Sequence, residues 1–153
     1  LTPLSEEALF GLRYWWAYFC NLSYKQDLWA VAYVVLGGCS DDGFDYFRFW
    51  LIAQGREVFY NALENADTLC EVFSELEDPE GEDYPEQEDL AYAVKTVLQE
   101  RTGNEDYLYI VEDNYSLPQN IQEIEFEWEE DDEESIRKIC PRTFDKWWEN
   151  DVF

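Results

Sequence analysis

The densest grouping of chemically capable side chains lies in Gly37-Gly38-Cys39-Ser40-Asp41-Asp42-Gly43-Phe44-Asp45-Tyr46-Phe47-Arg48, continued by Gln54-Gly55-Arg56-Glu57. Two readings of it stand. In the first, Ser40, Asp41 and Asp42 cap a helix behind a tight turn, while Arg48 and Arg56 bridge carboxylates or terminal carbonyls; Asp45, three residues before Arg48, shares its helix face. In the second, Asp41, Asp42, Asp45, Arg48, Arg56 and Glu57 surround a polar pocket. Two acids would then act as general acid and base, or hold Mg²⁺ while the arginines clamp a phosphate. A calcium loop fits poorly, because no bidentate Glu closes the run at the required spacing.

Other chemistry is bounded by what the chain lacks. It contains no histidine, which removes Ser-His-Asp and Cys-His nucleophile activation, histidine-ligated zinc and the usual imidazole base. Cys20, Cys39, Cys70 and Cys140 form no C-x-x-C pair, and reduced thiols in a cytoplasmic protein are expected. No nucleophile with an activating base and no phosphate loop is visible, so no catalytic residue, metal or cofactor is assigned. A non-enzymatic role is favoured. Asn21-Leu22-Ser23 and Asn114-Tyr115-Ser116 fit the glycosylation pattern, which carries no meaning in a cytoplasmic protein.

A second constellation is Ile124-Glu125-Phe126-Glu127-Trp128-Glu129, aromatics alternating with acids. Phe126 and Trp128 would anchor a partner while Glu127 and Glu129 steer it. The competing reading packs both rings on the chain's own core. Acids outnumber bases 36 to 10, for a formal charge of −26. That balance disfavours direct nucleic-acid or membrane binding and favours a basic protein partner.

The elements that position these residues are helical, and the expected fold is mainly α: one acidic multi-helix domain over residues 1–153. Ser5-Glu6-Glu7 starts a helix running to Cys20 or Leu22. A second, buried helix begins near Asp27 and stops at Gly37-Gly38. A third carries Phe44 to Ile52, a fourth runs from Arg56 to Glu64, and a short one begins near Asp67. Acidic loops are expected at about 77–86 and 123–134, and a helix over Gln87 to Thr102 ending at Gly103. Tyr107 to Val111 suits one short strand. The apolar run Leu28–Leu36 is too short to span a membrane and lacks the flanks of a signal peptide. The chain starts at Leu1 and has no methionine, so a removed start or upstream residues are expected.

Asp27-Leu28-Trp29-Ala30-Val31-Ala32-Tyr33, Gly37 to Phe44, Phe47-Arg48, Trp50-Leu51-Ile52 and Gln54-Gly55-Arg56-Glu57-Val58 together resemble the bacterial domain of unknown function 4240 family. The resemblance is dense from about Leu4 to Leu69. It returns at Trp128-Glu129-Glu130-Asp131-Asp132 and at Pro141-Arg142 with Trp147. Members usually carry a further N-terminal helix ahead of the position of Leu1. The resemblance implies no established activity. Some members are fused to a domain of the tryptophan-glycine-arginine type, but no Trp-Gly-Arg triplet occurs here. The expected function is therefore a protein-protein interaction or regulatory module of the immunity, antitoxin or charge-mimic type. The alternative is a carboxylate- and arginine-based enzyme or small-molecule sensor.

Overall fold

The computed structural model describes residues 3–78, 81, 83–107 and 123–148. Helix α1 spans Glu6–Leu22, and the Ser5 hydroxyl accepts the Ala8 N–H at 3.2 Å. Leu9 is buried, while Trp15 is 54% exposed, so α1 lies on the surface. Ser23 ends it, fully buried, donating its hydroxyl to the Phe19 and Cys20 carbonyls.

Helix α2 (Gln26–Val35) is the central element. Its sequence is apolar around most of its circumference, and Leu28 through Ala32, Val34 and Val35 are all buried, as expected of a helix packed on several sides. Gly37 and Gly38 take φ of 66° and 122°, and the Gly38 N–H reaches back to the Tyr33 carbonyl at 2.9 Å. This closure needs a left-handed residue, which glycine supplies without Cβ strain.

Helix α3 is Asp41–Ala53. It starts three residues earlier than the apolar pattern implies, because Ser40 is the cap and its hydroxyl accepts the Gly43 N–H at 3.2 Å. Helix α4 is Arg56–Glu64. A 3-10 turn, Ala66–Thr68, leads into α5 (Leu69–Ser74), and α6 is Glu88–Thr102. Helices α7 (Glu133–Ile139) and α8 (Pro141–Trp147) follow the second acidic segment; α7 takes Glu133 and Glu134 from the expected loop. Among the described residues there is no strand. The expected strand at 107–111 lies, beyond Tyr107, outside them. Among the described residues no helix is long and apolar enough to cross a membrane.

One core joins both ends of the chain. Phe44, Phe47, Trp50 and Phe73 pack around α2 together with Trp128, Ile136, Phe144 and Trp147 from the C-terminal part. Trp29 stacks on Phe44 at 4.5 Å and Trp50 on Phe73 at 5.5 Å. A satellite cluster of Leu9, Val94 and Leu98 fastens α6 to α1.

Candidate functional site

Arg48 is 7% exposed. Its Nη1 donates to the Cys20 carbonyl at 2.6 Å, its Nε to the Phe44 carbonyl at 3.4 Å, and Nη2 pairs with Asp45. The guanidinium lies between the Tyr24 and Phe44 rings, 5.0 and 4.9 Å from their centroids. It thereby ties α3 to the last turn of α1. The spacing to Asp45 was visible in the sequence; the carbonyl it seeks, 28 residues upstream, was not.

Asp41 and Asp42 are exposed in the first turn of α3, where negative charge faces the positive helix end. Glu86, from the first acidic loop, comes against the same turn: a Cβ on Gly43 would stand 3.3 Å from its Oε1. Desolvation, then the neighbouring Glu88, holds the Glu86 carboxyl above the ordinary carboxylate range. The Gln87 N–H bonds the Tyr46 carbonyl at 3.1 Å and the Tyr46 hydroxyl bonds Glu88 at 3.3 Å, completing the dock of this loop on α3. Sequence spacing gave no sign of Glu86, because 43 and 86 are brought together only by the fold.

Arg56 and Glu57 are exposed in the first turn of α4. Arg56 therefore belongs to a different surface feature from the buried Arg48. It borders a cavity of about 300 Å³ lined also by Phe19, Ile52, Gly55, Phe59 and Tyr60.

All four cysteines are free. Burial pushes the thiols of Cys20, Cys39 and Cys140 up to about 12 and raises that of Cys70. At Cys20 the nearby Arg48 charge opposes the shift without overcoming desolvation. A thiolate nucleophile is therefore not prepared at any of them. Among the described residues, no group of three or more Cys, Asp or Glu is arranged to hold a metal ion.

The second constellation divides by depth. Trp128 is 6% exposed, its indole N–H donates to the Gln26 carbonyl at 3.0 Å, and its ring meets Tyr33 at 5.5 Å. Gln26 also holds Glu127 twice: its side-chain amide donates to the carboxylate at 3.0 Å and its Oε1 accepts the Glu127 N–H at 2.6 Å. Phe126 is 47% exposed, with edge contacts of 5.4 Å to both Trp29 and Trp128. Its sequence neighbours Glu123, Glu125, Glu127 and Glu129 are exposed. Beside them runs a cleft of about 500 Å³ whose lining includes Asp27, Glu123, Glu125, Glu127 and Lys138. Gln26 and Asp27, which build this face from the α2 side, were not among the expected site residues; only their distance of about 100 positions from Glu127 hid them.

The sequence model of a family described as "Protein of unknown function (DUF4240)" matches residues 1–100. No curated protein and no solved structure matches the chain.

Proposed function

Since the chain belongs to the DUF4240 family, whose description carries no activity, we propose from its geometry that it is an interaction or regulatory module engaging a basic protein surface. The observation that supports this reading is the pre-positioned Phe126. Its backbone neighbours are fixed by Trp128 and by the two Gln26–Glu127 hydrogen bonds, so little ordering entropy remains to be lost on binding. A half-exposed ring in a segment of exposed acids suits an arginine or lysine side chain, which can lie on the ring face and pair with an acid at once. The formal charge of −26 would accelerate encounter with such a partner and make it salt-sensitive.

The test is capture from the source cell with the intact chain as bait, at low and moderate salt. Phe126→Ala serves as a second bait. The expected result is a basic protein retained at low salt, released as salt rises and lost with the variant, whose melting temperature stays unchanged. Capture that ignores both salt and Phe126, or no capture at all, refutes the proposal.

A further inference from the structure

The cavity between the end of α1, the end of α3 and the start of α4 is aromatic-walled. Phe19 meets Phe59 edge-on at 5.5 Å, and Phe59 meets Tyr60 edge-on at the same distance. Trp15, more than half exposed, packs beside Phe19 with ring centroids 6.2 Å apart. At about 300 Å³ the space matches the small end of ligand pockets and suits a one- or two-ring molecule.

The charged side chain that lines it is Arg56, against the acidic trend of the whole chain. Arg48, Lys25, Arg137 and Arg142 are paired with Asp45, Asp27, Asp145 and Glu71. Arg56 has no carboxylate partner among the described residues; its guanidinium lies 6.0 Å from the Tyr60 centroid. In a chain where acids outnumber bases 36 to 10, an exposed arginine left without an acid remains available to an incoming anion. Gly55, the residue before α4, has φ of 90° and gives the helix no side-chain cap. The first-turn N–H groups of this nine-residue helix thus add partial positive charge beside Arg56. Glu57 lies on the same edge with Arg56, Tyr60 and Asn61 and works against an anion.

We infer that this cavity is a binding site for a small aromatic carboxylate, its ring between Phe19, Phe59 and Tyr60 and its carboxylate on Arg56. The site is separate from the acidic face around Phe126 and stands or falls independently of it. Backbone amide shifts of the intact chain would be followed while titrating 3-phenylpropanoate and, in parallel, the neutral 3-phenylpropanamide.

The acid is expected to shift the amides of residues 55–60 saturably and to bind more tightly than the amide. Arg56→Gln should weaken the acid about tenfold while leaving the amide unchanged, as loss of a charge-assisted hydrogen bond does. Glu57→Gln should tighten the acid about twofold by removing a like charge. Both side chains are exposed, so the folded state survives either change. Equal binding of acid and amide, indifference to Arg56→Gln, or no saturable shift with either probe at millimolar concentration overturns the inference.

Discussion

The carboxylate of Asp67 accepts the backbone N–H of Thr143 at 2.8 Å and, through its other oxygen, that of Arg142 at 3.0 Å. Cys140, the residue before α8, offers no side-chain cap, so the cap is supplied from 75 positions upstream in the chain. Asp67 is only 5% exposed. Removing it strands two backbone donors, that of Thr143 in the interior and that of Arg142 at its edge.

Asp67→Ala should therefore destabilise the fold by about 2–4 kcal/mol, more than an ordinary surface cap. Asp67→Asn, which keeps acceptor capacity at one oxygen, should fall between the two. Urea denaturation measures both; an Ala variant as stable as the parent would show that α8 is held by its apolar contacts alone.

Arg48→Lys should cost about 1–3 kcal/mol, because one ammonium cannot reach the Cys20 and Phe44 carbonyls and Asp45 in the fork geometry that the guanidinium provides. Thermal melting of the intact chain reads this directly. The Arg56→Gln variant, altering an exposed side chain, should melt with the parent.

The thiols should resist labelling in the folded state. With Cys20, Cys39 and Cys140 pushed up to about 12, the thiolate fraction at pH 8 is about 10⁻⁴. A disulfide reagent at that pH should modify them only slowly, and all four should react at once when urea unfolds the chain. Fast reaction of one thiol in native buffer would locate an opening of the fold at that cysteine.

Glu86 should make the docking of the first acidic loop sensitive to pH. Desolvation and then Glu88 raise its folded-state pKa from the ordinary 4.5, so its contribution is greatest at pH below that value and is lost as pH rises through the raised one. Glu86→Gln should raise the melting temperature at pH 7, with the gain narrowing as pH falls towards the ordinary carboxylate value. A gain that is constant across this range would assign it to general charge relief rather than to Glu86.

What could be read from the sequence follows the range of the interaction concerned. Ser5 before α1, the double glycine after α2 and the all-round apolar surface of α2 are local signals, and each appears where the pattern puts it. The mainly helical fold follows from them. Arg48 was half legible: Asp45 is one helical turn away, while the Cys20 carbonyl is not. Phe126 and Trp128, two residues apart, carry no sequence difference that tells which is buried. Gln26, about 100 residues away, decides it by binding the Trp128 indole and the Glu127 backbone. Arg56 and Arg48 looked like partners in one site because they are eight positions apart, yet one lies buried in the α1–α3 seam and the other stands exposed at the start of α4.

The joining of α2 to the C-terminal elements has a consequence for synthesis on the ribosome. Trp128, Ile136, Phe144 and Trp147 share the core with α2, so a nascent chain that has emerged only as far as α6 leaves part of that apolar helix bare. Native closure then waits for residues about a hundred positions downstream, a long-range contact that forms late. A ribosome stalled before them would release a product with an uncovered hydrophobic face, the kind of surface that chaperones and proteases recognise.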